Sequence, residues 1–188
     1  NNYTIYGTIN PNMEFYIVYS TSACDYQNWQ CELLEASIKK SKDSNRCQII
    51  KLLAYDSRHK SKHFLLGDDV TFVFPEAHDR LDNGEFYAPL NKPYSCKYFT
   101  EYWINHPHLD NNAPFVLVDP DMLWFKSISN TLFPKPGNVI GHHWIDNNTM
   151  FPLLITATDL YKIREMYLAY THSIYPHKLN AYLTEQYA

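Results

Sequence analysis

The order of sequence patterns along this chain predicts an α/β fold, with a mostly parallel central sheet flanked by helices in a single domain. Two observations carry the prediction. Short apolar runs typical of buried strands alternate with longer segments of helical character. The chain also has 188 residues, of which 45% are hydrophobic, so it is long enough to bury one core. It contains no internal repeat and no low-complexity linker.

The first part of the chain supplies three predicted strands and one helix. The strands are expected at residues 14–20, 47–55 and 70–74, and Pro75 closes the third because proline cannot donate to a ladder. The helix is expected from about residue 26 to 42, with Asp25 as its N-cap. Helical spacing places four residues on one face, with Leu34 and Ile38 beside them: Trp29, Leu33, Ser37 and Lys40.

A second helix is predicted after a polar loop at residues 76–86. Asn91 suits its N-cap and Pro93 its first turn, and it should end near Asn105, before Pro107. Strands and helices then alternate again. The strands are expected at 115–118, 138–141 and 150–156, and the helices from residue 158 or 159 to about 171 and at 179–187.

The strand at 115–118 runs directly into the triplet Asp119-Pro120-Asp121. Two carboxylates would thus stand at the carboxyl end of a buried strand, where open α/β sheets bind ligands. A divalent cation such as Mg²⁺ or Mn²⁺ favours oxygen ligands and often bridges to substrate phosphates. The alternative is a turn in which Asp119 caps a helix and Asp121 faces solvent. Spacing alone leaves both open, since a D-x-D triplet is common by chance.

Composition excludes several classes of function. The net charge is −4 and no basic block stands out, which argues against a nucleic-acid groove. No apolar run approaches the ~20 residues of a membrane span. The four cysteines form no C-x-x-C pair, which argues against zinc. With five glycines and no Gly-rich phosphate loop, phosphate binding falls to a metal or to side chains, which favours the metal role of the D-x-D triplet.

Other polar residues join the candidate site by their position. Ser20, Thr21 and Ser22 follow the first strand and are expected to meet a nucleotide, although an ordinary Ser/Thr turn explains them equally well. Lys92 is expected to approach phosphates or sugar hydroxyls. Asn91 is favoured as a cap rather than a ligand.

Two histidines form a second polar cluster. His142 and His143 follow a short predicted strand, so they suit a sugar and acceptor pocket, or a third metal ligand. A surface histidine pair is the alternative. The acids of Gly67-Asp68-Asp69 precede a strand, where a turn is more common than a binding site. They are therefore weaker site candidates than Asp119 and Asp121.

Five separated segments stand in a fixed order along the chain: W-Q-C at 29–31, Y-A-P-L-N-K-P at 87–93, V-D-P-D-M-L-W at 118–124, F-P-L-L-I at 151–155 with Asp159-Leu160, and E-Q-Y-A at 185–188. In this order they resemble the plant and algal peptidyl-serine galactosyltransferases and hydroxyproline arabinosyltransferases. The family carries similar W-Q-C, L-N-[KR]-P, [ED]-P-D and E-M-Y-A segments, and Gln186 stands here where the family has Met. The composition also suits a compact virus-encoded relative.

The resemblance implies a GT-A fold, with a nucleotide-binding half at about 14–125 and an acceptor half at about 126–188, in a chain that is either whole or a fragment of a longer one. It implies transfer of a sugar, with retention, from a nucleotide-sugar, most simply a UDP-sugar, to a protein or glycan hydroxyl. Mn²⁺ or Mg²⁺ would be held by Asp119 and Asp121, with Asp121 counted as catalytic. Glu185 would contact the donor sugar or stabilise an oxocarbenium-like state, with a solvated helix face as the alternative.

The resemblance leaves location and two rival functions open. A plant-like or algal-like enzyme would work in the ER or Golgi lumen, and a virus-encoded one in the host cytoplasm. One rival is a non-catalytic module that binds nucleotide-sugars or carbohydrate. The other is a sugar nucleotidyltransferase, which is less favoured because the Gly-rich basic loop of that class is missing.

Overall fold

The computed structural model describes residues 3–58, 65–143 and 149–174. Within them the chain forms seven strands and three helices, with short 3₁₀ turns at Ala88–Leu90 and Asn130–Leu132. The strands are β1 (Thr4–Tyr6), β2 (Phe15–Ser22), β3 (Cys47–Ala54), β4 (Val70–Phe74), β5 (Pro114–Val118), β6 (Ile140–His143) and β7 (Thr149–Thr156). The helices are α1 (Asp25–Lys39), α2 (Asn91–Ile104) and α3 (Ala157–Ile174).

All seven strands belong to one sheet with the order β1-β4-β3-β2-β5-β7-β6. The four central strands, β4, β3, β2 and β5, are parallel. The strands outside them pair antiparallel: β1 with β4, β7 with β5, and β6 with β7. The predicted α/β class is therefore confirmed, and the sheet is parallel in its centre but mixed at both sides.

The central strands create a topological switch point between β2 and β5. From β2 the chain moves through β3 to β4 on one side, and then returns to β5 on the other side of β2. This is the order of the first four strands of a doubly wound nucleotide-binding sheet, in which ligands bind at the carboxyl ends of the strands that flank the switch.

Both faces of the sheet are covered, as the continuous apolar runs predict. Phe15 and Ile17 of β2 pack on the α1 side with Leu34. The alternate β2 residues pack on the other side, in a cluster that includes Trp103 of α2 and Leu160 of α3. The two layers hold the carboxyl ends of β2 and β5, two strands of the buried centre of the sheet, at one edge.

The prediction of the α1 cap was wrong, and the face that carries Trp29 and Leu33 is not the buried one. Cys24, not Asp25, is the N-cap residue, and it makes no side-chain capping bond. Trp29 and Leu33 are 51% and 50% exposed. The helix turns a different stripe to the sheet, and its buried residues are Gln30, Cys31, Leu34, Glu35 and Ile38. Because this stripe contains the polar residues Gln30 and Glu35, the spacing of apolar residues alone does not indicate it.

The remaining elements lie close to their predicted ranges. The short strand β1 was not predicted, and residues 179–187, predicted as a last helix, lie outside the described part of the chain.

Helix α3 begins at Ala157, next to two hydrogen bonds between Thr156 and Asp159. Asp159 N donates to Thr156 Oγ1 at 3.2 Å, and Thr156 Oγ1 donates to Asp159 Oδ2 at 2.7 Å. None of the helices among the described residues is both long and apolar enough to cross a bilayer.

Candidate functional site

A cavity of about 230 Å³ lies at the carboxyl ends of β2 and β5, at the switch point of the sheet. It collects residues that are far apart in the chain, from the ends of both strands and from the starts of α1 and α2. Seven of the predicted site residues line it: Ser20, Thr21, Ser22, Asn91, Lys92, Asp119 and Asp121.

The two aspartates stand on a turn that directly follows β5. Asp119 O accepts from Met122 N at 3.1 Å, which closes the turn around Pro120. No helix directly follows this turn, so the cap that the alternative interpretation gave to Asp119 is wrong, whereas the turn itself and an exposed Asp121 agree with that interpretation. The Asp119 side chain is 30% exposed, and Asp121 is exposed in the mouth of the cavity.

The segment after the aspartates is anchored to the far end of α1. Asp43, which is fully buried, accepts from Trp124 Nε1 and from Ile128 N, each at 3.0 Å. Arg46 donates to the other oxygen of Asp43 at 2.6 Å. Strand β5 and this anchor thus hold the aspartate turn from both sides, and no sequence motif indicated the role of Asp43.

Lys92 and Asp119 form an ion pair across the cavity. The distance from Lys92 Nζ to Asp119 Oδ1 is 2.6 Å, and the Lys92 side chain is 16% exposed. The two residues are 27 positions apart, on α2 and after β5. The position of Lys92 in the cavity is compatible with the prediction that it supplies a positive charge there. The structure adds that Lys92 pairs with Asp119, a candidate metal ligand.

The hydroxyl residues at the end of β2 are largely occupied by bonds within the protein. Gln27 Oε1 accepts two hydrogen bonds, one from Thr21 Oγ1 at 2.8 Å and one from Ser22 N. Thr21 and Ser22 are each 3% exposed, whereas Ser20 is partly exposed and shares a 3.1 Å hydrogen bond with Ser95 Oγ. Of the three, Ser20 is therefore the one best placed to contact a ligand.

Asn91 joins two segments behind the cavity instead of capping α2. It is the first residue of the helix, is 3% exposed, and follows the 3₁₀ turn. Its Oδ1 accepts from His78 N at 2.7 Å and its Nδ2 donates to Ser22 Oγ at 3.2 Å. The prediction of an N-cap was wrong because the preceding turn continues directly into the helix.

His78 itself is packed against an aromatic ring of α2. Its imidazole stacks on Tyr94 with ring centroids 4.2 Å apart. Burial lowers the pKa of His78 below its ordinary value, so the ring is mostly neutral at neutral pH. His78 therefore adds little positive charge to the wall behind Asn91.

Replacing Asn91 with alanine is expected to destabilise the fold by about 1–3 kcal/mol, because it removes the acceptor of the partly buried His78 N–H and the buried hydrogen bond to Ser22 Oγ. Urea denaturation followed by circular dichroism measures the change. Asn105→Ala is the matched control, since Asn105 is exposed and bonds only to the preceding turn at the other end of α2. Equal midpoints for the two variants would show that the Asn91 bridge contributes nothing.

Six further residues line the cavity. One is Pro120 of the triplet, and the other five were not assigned to the site by the sequence interpretation: Tyr26, Gln27, Gln30, Ala88 and Pro89. A signal for two of them was present. Gln27 and Gln30 stand at helical spacing with Cys31 and Leu34, so the inward stripe of α1 becomes polar at the end nearest β2.

The site holds two carboxylates that suit a hard divalent cation. In the described residues no group of three or more His, Cys, Asp or Glu side chains is placed to hold a metal. Among the described side chains, Asp119 and Asp121 suit Mg²⁺ or Mn²⁺ in the common arrangement in which one or two carboxylates and the phosphates of a substrate share the ion. Such an ion must also share Asp119 with Lys92.

The other predicted site residues stand elsewhere. His142 and His143 belong to β6, and their side chains are outside the description, as is Glu185 altogether. Asp68 and Asp69, the two acids before β4, each bond to another part of the protein. Asp68 pairs with Lys39 at 2.5 Å, and Asp69 Oδ2 accepts from Ile49 N at 2.9 Å.

Comparison with known proteins adds no family to this geometry. No family model matches the chain, and no curated protein is significantly similar to it. The resemblance to the peptidyl-serine galactosyltransferases and hydroxyproline arabinosyltransferases thus stays a prediction from the five sequence segments.

Proposed function

We propose that this chain is a metal-dependent glycosyltransferase of GT-A fold, related to the group that its five segments resemble. It would transfer a sugar, with retention, from a nucleotide-sugar to a hydroxyl of a protein or glycan. One observation carries the proposal: the D-x-D carboxylates, a lysine and the last residues of β2 line one cavity. The cavity lies at the switch point of the sheet, where doubly wound folds bind nucleotides.

Each element of the cavity has a role in this proposal. The β2 end, with Ser20, binds the nucleoside, and Lys92 donates to the diphosphate. Asp119 and Asp121 hold the divalent cation, which when bound supplies Lewis-acid stabilisation of the leaving diphosphate. Neither aspartate serves as a base. Glu185 and the histidines of β6 are proposed to position the sugar and the acceptor.

The reaction breaks the bond between the anomeric carbon and the diphosphate oxygen and forms a bond from that carbon to the acceptor oxygen. The acceptor proton passes to the departing diphosphate on the same face of the sugar. The chain's own contribution is to orient the diphosphate and to balance the charge that develops on it.

A thermal-shift screen of nucleotide-sugars, with and without Mn²⁺, tests the donor. A ligand present at a hundredfold excess over its Kd stabilises the native state by about 2.7 kcal/mol. For a domain of this size that corresponds to a rise in Tm of roughly 5–10 °C. We expect this rise for UDP-sugars with Mn²⁺ and much less with EDTA. If no nucleotide-sugar gives a metal-dependent shift, the proposal fails.

Turnover separates the enzyme from the binding module of the same fold. An enzyme is expected to hydrolyse its UDP-sugar slowly when no acceptor is present, with release of UDP that depends on Mn²⁺. Binding without any hydrolysis or transfer across peptide and glycan acceptors would instead assign the chain to the non-catalytic class.

A further inference from the structure

The ion pair between Lys92 and Asp119 occupies a position that a metal would need. Lys92 Nζ lies 2.6 Å from Asp119 Oδ1, and the two side chains are 16% and 30% exposed. The pair is thus partly shielded from water, which strengthens it relative to an exposed surface pair. Asp119 therefore has a bound cation of its own before any ligand enters the cavity.

The charges of the site disfavour a lone metal ion. Asp119 and Asp121 carry two negative charges, and Lys92 offsets one of them. A divalent cation that enters alone competes with the ammonium for the same Asp119 oxygen and stands beside a charge of its own sign. Like charges a few ångströms apart repel, so a lone ion is held weakly.

A diphosphate removes this competition. Its oxygens accept charge-assisted hydrogen bonds from an ammonium, so Lys92 gains a new partner as it releases Asp119. The proposed exchange moves the lysine side chain from one oxygen partner to another. The backbone around it is fixed, since the neighbouring Asn91 and Pro93 are buried and Asn91 is bonded on both sides.

We propose that Lys92 is the resident counter-ion of Asp119 and exchanges from this carboxylate to the diphosphate when metal and donor bind together. The inference rests on the proposed function and adds that the metal and the diphosphate bind cooperatively. Metal and diphosphate each raise the affinity for the other by the same factor, because coupling between two ligands is reciprocal. The site thereby discriminates against free metal and selects the pair.

The Lys92→Met variant tests the exchange through two binding measurements. Electron paramagnetic resonance of Mn²⁺ gives the metal affinity without nucleotide, and we expect it to be about tenfold higher in the variant. Calorimetry of UDP in EDTA and in Mn²⁺ gives the factor by which the metal raises UDP affinity. We expect this factor to be about tenfold smaller in the variant than in the unmodified protein.

The second measurement separates exchange from a fixed charge. A lysine that stays in one place changes each affinity but leaves the coupling factor unaltered, because its effects on the two ligands add. Lys92→Arg keeps the positive charge and is expected to restore most of the coupling. Lys97→Met is the matched control, since Lys97 lies on the same helix but pairs with Glu165, away from the cavity.

The outcomes are distinct. An unchanged coupling factor in Lys92→Met overturns the exchange while leaving the glycosyltransferase proposal intact. Failure of the unmodified protein to bind UDP in the presence of Mn²⁺ overturns the proposed function, and the exchange falls with it.

Discussion

Replacing Asp121 with asparagine is expected to lower Mn²⁺-dependent release of UDP from a UDP-sugar by at least about a hundredfold. Metal stabilisation of a leaving group supplies several kcal/mol, and each 1.4 kcal/mol is about a tenfold change in rate. Because Asp121 is exposed and lies after the end of β5, the substitution should leave Tm almost unaltered. The measurement is UDP release under saturating donor and Mn²⁺.

Asp110→Asn provides the matched control for this loss. Asp110 is exposed just before β5, at the opposite end of the same strand from Asp121. Its Oδ1 accepts from Asn112 N at 2.8 Å, a bond that asparagine can also make. We expect unchanged turnover in this variant. If Asp121→Asn keeps the rate of the unmodified protein, the carboxylates do not hold a catalytic cation.

Replacing Trp103 with alanine is expected to cost about 3–5 kcal/mol of unfolding free energy. The side chain is fully buried, with ring centroids 4.7 Å from Tyr16 and 4.8 Å from Phe115. Its Nε1 donates to Asp110 O at 2.9 Å. Alanine would leave a cavity under α2, the helix that carries Lys92. Guanidinium denaturation followed by circular dichroism measures the loss.

Two further tryptophan variants make this result interpretable. Trp103→Phe keeps most of the ring but loses the N–H donor, so about 1–3 kcal/mol is expected and the protein should remain folded. Trp29→Ala removes a half-exposed ring from α1, with an expected loss of about 1 kcal/mol or less. A Trp103→Ala loss no larger than that of Trp29→Ala would contradict the central place of Trp103 in the core.

Local patterns predicted most of the elements but not the contacts between them. The run that forms β4 was bounded correctly, because five apolar or β-branched residues are closed by a proline. The mixed edges of the sheet escaped prediction, since the direction of β7 depends on its pairing with β5. Apolar spacing also gave no indication that the polar residues Gln30 and Glu35 face inward from α1.

The site shows the same division. Strand-end position brought Ser20 and Asp119 into one hypothesis, because the carboxyl ends of parallel strands meet at one edge. The anchor at Asp43 and the bridge at Asn91 join segments that are distant in the chain. Hydrogen-bond partners of that kind have no period or spacing in the sequence, so no local pattern indicates them.

The sequence by itself determined the α/β class, the strand that ends at the D-x-D triplet, and the lack of a Gly-rich phosphate loop. These features depend on residues that are adjacent or a few positions apart. Only the tertiary structure decided that Lys92 pairs with Asp119 and that the cavity lies between β2 and β5. That pairing joins residues 27 positions apart, and it forms because the sheet places the start of α2 beside the end of β5.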